Sequence, residues 1–337
     1  MKTLSSSITY PLMIIALSCT VLGVTCLPAS AQPPVPGGQD LSHPQNTQEQ
    51  DDRGEPAFCS RTSIAALKAC NFQVQDDFWI AIGNCNNLSS AKDRQTCKST
   101  ATEEQQTARE ECVTKFNARQ EVCDAIGQAP YDPVIDPNNF RGKDSIVGNK
   151  YFPLSLGTTY VYKGGGQIDT VTVTNETKEI LGVTTLVIKD VVTDEKSSEV
   201  IEKTEDWYAQ DLEGNVWYFG EIAQQFDKGE LVGIDGSWKA GVNSAKPGIL
   251  MKVMPQVGNE YRQEFALGEA EDMAKVQKLD GIATVPAAKC EGNCLVTLEF
   301  SALEPSAMEN KYYAPNVGPI LVVDLETGVR EELIEIK

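Results

Sequence analysis

The sequence predicts an α+β protein. An N-terminal antiparallel helical hairpin, laddered by disulfides, precedes a curved antiparallel β-sheet domain, a barrel or half-barrel. Three observations carry this. Residues 57–128 have helical composition, with no proline between Ala57 and Ala129. Six cysteines in that stretch are spaced as a palindrome. From Tyr151 onward, helical periodicity gives way to β-branched and aromatic runs separated by turn residues.

Residues 1–31 read as a secretory signal peptide. Lys2 supplies the positive start, Leu12 to Leu27 the apolar run, and Ala29-Ser30-Ala31 the small-x-small cleavage pattern. The apolar run is short for a transmembrane span and contains Ser18, Thr20 and Thr25. Ala16-Leu17-Ser18-Cys19 is a poor lipobox, which argues against a lipid anchor. The mature chain is therefore expected to start at Gln32 and to work in the periplasm or outside the cell. Cys19 and Cys26 leave with the leader. The eight cysteines that remain form an even set in an exported chain, which reads as a disulfide framework.

The chain has 29 basic and 48 acidic residues, a net charge of −19, and loss of the leader removes only Lys2. Such a chain repels phosphate backbones and anionic bilayers. No nucleic-acid partner and no membrane insertion after signal cleavage are expected. Residues 32–56 carry Pro33, Pro34, Pro36, Pro44 and Pro56 among Gln, Asp and Asn, and read as a disordered tether. The single histidine, His43, lies in that tether.

Within 57–128 the cysteines are Cys59, Cys70, Cys85, Cys97, Cys112 and Cys123. Paired from the outside inwards, their position numbers share one sum. Two antiparallel helices produce that pattern when each rung joins opposed positions. Steps of 11 and 15 residues keep the cysteines near one helix face, since they overshoot whole turns by only ~20° and ~60°. The expected rungs are Cys59–Cys123, Cys70–Cys112 and Cys85–Cys97. The turn is placed at Asn86-Asn87-Leu88-Ser89-Ser90, with Ser89 or Ser90 capping the second helix and Gly127 and Pro130 ending it. The apolar stripe is thin: Leu67, Val74, Phe78 and Ala81 face Ala101, Ala108 and Phe116. Crosslinks substitute for a core. Zinc sites use close cysteine pairs, and none is present.

Residues 129–150 form a second linker, whose spaced Tyr131, Ile135 and Phe140 suggest that it lies against a domain. Residues 151–337 are the β-domain. Thr158 to Lys163, Ile168 to Thr174 and Val183 to Val192 read as strands. Asp211-Leu212-Glu213-Gly214-Asn215 turns one hairpin and Asp227-Lys228-Gly229-Glu230 another. Leu295 to Phe300 and Ile320 to Leu325 are further strands, and Ala270 to Leu279 is the only helix-like stretch. Short connections throughout imply an antiparallel meander. Cys290 and Cys294 bracket a tight turn, Glu291-Gly292-Asn293, and are expected to bridge across it as a structural crosslink.

Three segments carry a resemblance. Tyr151-Phe152-Pro153-Leu154 with Gly157 and Tyr160-Val161-Tyr162 forms an opening. Asp206 to Asp211 and Gly214 to Glu221 form a central hairpin. Val285-Pro286 and Tyr312 to Gly318 form a close. Together they resemble a group of uncharacterised exported bacterial β-domains, over most of 151–337. The resemblance implies a strongly curved antiparallel sheet and no activity. Asn316 stands where that group has glycine, and asparagine also tolerates positive φ.

Catalysis finds little footing. With His43 in a tether and the cysteines paired, neither a Ser-His-Asp nor a Cys-His site can form. There is no phosphate-binding loop; Gly164-Gly165-Gly166 lacks the lysine and helix that would follow. Two constellations remain. Glu264, Glu269, Glu271 and Asp272 could hold calcium through oxygen ligands or serve as a carboxylate pair in glycoside hydrolysis. The bland reading is a solvated acidic turn. Trp207, Tyr208, Trp217, Tyr218 and Trp238 could line a ligand-binding concavity, against the bland reading of ordinary β-core. No cofactor is required, and calcium is the ion the chain would take. The leading expectation is an exported, non-catalytic protein that binds an unknown ligand or protein through its β-domain, with the hairpin as spacer or docking arm. The alternative is a carboxylate-dependent hydrolase of envelope polysaccharide.

Overall fold

The computed structural model describes residues 57–337. The segments expected to be a leader and a tether, with His43, Cys19 and Cys26, lie outside the described residues. Helix α1 (Phe58–Asn86) and helix α2 (Ala91–Ile126) form the hairpin. Its three rungs are Cys59–Cys123, Cys70–Cys112 and Cys85–Cys97, with Cα–Cα distances of 5.6, 5.8 and 5.5 Å. Ser90 caps α2 by accepting the Asp93 N–H, and Gly127 ends it at φ 91°. Ala57 offers α1 no side-chain cap. Instead Gln128 closes the base: its carbonyl accepts from the Phe58 and Cys59 N–H groups and its side chain from Ser60 N–H. Three donors that a helix start leaves open are thus satisfied by the residue just past the other helix. Only Ala66, Val74, Ala101 and Val122 add buried apolar side chains to the cysteines, so the thin stripe holds because it is crosslinked.

The β-domain is a nearly closed antiparallel barrel. Its long strands are β1 (Thr159–Gly164), β2 (Gln167–Ile180), β3 (Val183–Asp194), β4 (Val200–Gln210) and β5 (Val216–Asp227). Then come β6 (Glu230–Gly233), β7 (Trp238–Lys239), β8 (Lys246–Met251), β9 (Glu260–Arg262) and β10 (Glu264–Phe265). The return meander is β11 (Asp272–Val285), β12 (Ala288–Ser301), β13 (Glu304–Ala314), β14 (Gly318–Asp324) and β15 (Arg330–Ile336). Strand order is β10-β8-β5-β4-β3-β2-β1-β15-β14-β13-β12-β11-β9, with β6 and β7 on β5. The first and last strands pair, Tyr162 opposite Leu333. The two path ends, β10 and β9, meet through Gln263, whose N–H donates to Asp272 O. Glycine is needed where strands approach closely, and two positions show it. A Cβ at Gly248 would run into the Gln263 backbone, and one at Gly220 into the Trp238 backbone.

Two expectations are corrected. Ala270 to Leu279 is no helix: Asp272 onward is β11, paired with both β12 and β9. Its high content of helix-forming residues is overridden by two ladders of backbone hydrogen bonds. Cys290 and Cys294 are bonded, but not across a hairpin turn. The turn lies at Pro286-Ala287, and Glu291-Gly292-Asn293 is a register shift inside β12, where Gly281 faces Cys294 and Ile282 faces Glu291. The crosslink therefore pins a bulge.

The linker is held on the barrel. Phe140 packs edge-on against Trp217 and Phe219, and Tyr131 against Phe265. Arg141 N–H donates to Gln210 O, and Tyr131 Oη–H to Pro247 O. Four disulfides fit a chain that matures in an oxidising environment. Among the described residues, no helix is long and apolar enough to cross a membrane.

Candidate functional site

The aromatic set does not line an open concavity. Tyr208 and Tyr218 point inward from opposed positions of β4 and β5 and stack at 4.7 Å. Trp238 meets Tyr218 edge-on at 5.4 Å, and Phe152 meets Tyr208 at 5.6 Å. All of these are buried. Trp207 faces the other side of β4, buried beneath the Lys178 ammonium 3.5 Å from its ring. Trp217 is half-buried and donates its indole N–H to Asp211, which also accepts the Gly214 and Asn215 N–H groups and so fixes the hairpin turn. These residues are core and turn chemistry.

The acidic set divides. Glu269 is exposed on the turn before β11. Glu264 and Asp272 are buried, facing into the barrel. Glu271 points out of it, and Arg119 of α2 grips both its oxygens: Nε to Oε2 and Nη2 to Oε1, each 2.8 Å. Gly268 N–H also donates to Glu271 Oε1. A solvated acidic turn is thus wrong for three of the four residues, and no accessible carboxylate pair beside the tryptophans results. Among the described residues, no group of three or more His, Cys, Asp or Glu is placed to hold a metal ion.

The barrel interior holds a larger acidic array that sequence reasoning passed over. Asp169 (β2), Asp190 (β3), Glu202 and Asp206 (β4), Glu221 (β5), Glu299 (β12), Glu309 (β13) and Glu331 (β15) are all buried. Asp206 faces Glu221 across one ladder and Glu299 faces Glu309 across another. Like charges directly opposed are unfavourable, and the two pairs resolve this differently. Lys311 Nζ sits 3.0 Å from Glu299 and 3.8 Å from Glu309. Burial works against the Lys311 charge, but the two glutamates outweigh it and raise its pKa. Glu299 also accepts from the Thr297 and Tyr313 hydroxyls. Among the described residues the Asp206–Glu221 pair has no such cation; the Tyr218 hydroxyl donates to Asp206 at 2.6 Å. Burial, and the neighbouring carboxylates after it, push both carboxyls well above the usual range.

Asp169 and Asp190 lie within hydrogen-bond reach of each other. Neither meets an N–H or O–H donor, so a proton on one supplies the missing donor. Burial pushes Asp169 up to about 8, and Asp190 well above its ordinary value. The strand phase was the available signal. Asp169 alternates in step with Val171 and Val173, Asp190 with Ile188 and Val192, and Glu331 with Leu333.

A cleft of about 190 Å³ opens where hairpin, linker and barrel meet. Phe58, Val122, Ile126, Tyr131, Phe265 and Leu267 give it apolar walls. Arg119, Arg262 and Glu271 give it charge. Arg262 is buried with its guanidinium 4.5 Å from the Phe265 ring centre and 5.6 Å from that of Tyr131. Its Nε has no hydrogen-bond acceptor. Burial lowers its pKa, against the opposing pull of Glu271. Neither arginine was legible as a site residue in the sequence, because the cleft exists only once the hairpin is seated. Comparison with protein families, with curated proteins and with solved structures finds no match for this chain.

Proposed function

We propose that the protein is an exported, non-catalytic module of the periplasm or extracellular space, and that its hairpin is a docking arm for a protein partner. The β-domain is the base. The hairpin is a stiff projection, crosslinked along its length and gripped at its root by Glu271. The observation that carries the reading is the outer face of α1. Phe72 and Trp79, two turns apart on one side of the helix, are 75% and 62% exposed, with Ile80 beside them at 57%. Large apolar side chains grouped on a polar helix mark interaction surfaces in soluble proteins. The β-domain would then position the arm and need not itself take the ligand. A photo-crosslinking residue at Trp79 tests this in intact cells. Discrete adducts from position 79, absent when the same residue replaces Glu103 of α2, are the expected result. Equal adducts at both positions, or none at position 79, would sink it.

A further inference from the structure

The cleft at the root of the hairpin has features that the docking arm does not use. Buried arginines are normally matched by a carboxylate or by several carbonyl acceptors, because an unmatched charge in an apolar wall is costly. Arg119 meets this rule through Glu271. Arg262 does not: its guanidinium is held by the faces of Phe265 and Tyr131, and its buried Nε points at no acceptor. The two rings offset part of the cost by cation–π attraction and fix the plane of the guanidinium. What is left is a guanidinium of fixed plane lining an apolar cavity.

We propose that this cleft binds a small apolar monocarboxylate, an aromatic or short branched acid, with its carboxylate on Arg262 and its body between Phe58, Val122, Ile126 and Phe265. Size supports the class. A cavity of about 150 Å³ holds benzene; one of about 190 Å³ has room for a ring and a carboxylate and little more. Charge supports it too. Arg119, Arg262 and Glu271 sum to one positive charge, and the Glu271 carboxylate repels a second negative charge on the ligand. A planar carboxylate also matches the two-point geometry of a guanidinium better than a spherical anion does. Because walls come from α1, α2, the linker and the barrel, bound acid would brace the hairpin on its base.

The test uses the full mature chain with its disulfides intact and benzoate as probe, followed by calorimetry and by NMR shifts of residues around the cleft. Benzoate is expected to bind and to shift Ile126 and Phe265, with benzamide at least tenfold weaker. Arg262→Leu should weaken benzoate at least tenfold without lowering the unfolding temperature. Thr62→Phe, which fills the cleft from α1 and leaves Arg262 intact, should abolish binding, and it decides the matter if Arg262→Leu fails to fold. Benzamide binding as tightly as benzoate would overturn the proposal. So would benzoate binding undisturbed by Thr62→Phe, or no benzoate binding at all. Sulfate binding in its place would show a general anion site and refute the carboxylate class.

Discussion

Arg119 of α2 and Glu271 of the barrel, 152 residues apart, form a two-point ion pair in which both N–O distances are 2.8 Å and both side chains are buried. This contact joins the two halves of the molecule. The helices bury few apolar side chains, and a planar guanidinium on a planar carboxylate favours one orientation of the hairpin on the barrel.

Removing one partner leaves the other charge buried and unmatched. Arg119→Ala is expected to destabilise the hairpin–barrel junction by about 3–5 kcal/mol. Arg119→Met with Glu271→Met should cost much less, since neither charge remains. Hydrogen exchange at the α1 start, where Gln128 caps Phe58, Cys59 and Ser60, reads the junction directly. Protection there that is the same in Arg119→Ala and the parent would show that the pair does not hold the hairpin in place.

The outer rung closes the longest disulfide loop, 64 residues against 12 for the rung nearest the tip. In the chain-entropy account, with Cys70–Cys112 intact its loss frees a loop of about 22 residues and costs somewhat more than the ~3 kcal/mol of the tip rung. Cys59→Ser with Cys123→Ser should therefore lower the unfolding temperature more than Cys85→Ser with Cys97→Ser. The reverse order would mean that packing near the tip, and not loop closure, sets the ladder's contribution. Non-reducing peptide mapping of the parent should recover the three nested pairs.

The four tryptophans differ sharply in exposure: Trp79 is 62% exposed, Trp217 half-buried, Trp207 and Trp238 buried. Iodide should quench mainly one of the four, and Trp79→Phe should remove most of the quenchable emission without altering stability. Trp238→Ala, which empties the place beside Tyr218, should cost about 3–5 kcal/mol in denaturant unfolding. If Trp238 proved as quenchable as Trp79, the aromatic group would be an open concavity after all.

Much of this fold was legible in the sequence, and the reasons are local. The cysteine palindrome encodes the antiparallel register of two helices without reference to anything else. The turns at Asp211 and Lys228 announce themselves through residues that need special backbone geometry, as does Asn316, which takes φ 62°. What was not legible depended on long-range pairing. Ala270 to Leu279 reads as helix until β12 and β9 flank it, and Glu291-Gly292-Asn293 reads as a turn until β11 is laid beside it. The site residues failed for the same reason. Glu264 and Glu271 sit close together in sequence, yet one faces the barrel interior and the other faces Arg119. Alternation alone gives the two faces of a strand; which face is enclosed follows only from closure.

The interior carboxyls make a prediction about pH that runs opposite to ordinary acid denaturation. Asp169 titrates near 8 in the folded chain, raised by burial from an ordinary 3.8, and Glu309 near 7, raised by burial from 4.5. Asp190, Asp206, Glu221, Glu264 and Glu331 move in the same direction for the same reason. The folded state therefore holds protons that the unfolded chain releases. Where the native state binds more protons, stability falls as pH rises. For Asp169 the advantage is complete below about pH 4 and is lost between there and pH 8. Each such carboxyl adds a slope of up to about 1.4 kcal/mol per pH unit across its own window. The urea midpoint should be higher at pH 5 than at pH 8. Asp169→Asn keeps the shape and cannot ionise, so it should flatten the slope and make the variant more stable than the parent at pH 8. A midpoint that rises from pH 5 to pH 8 would show that these carboxyls are ionised in the folded barrel, matched by cations or water drawn in among Asp169, Asp190 and Asp206.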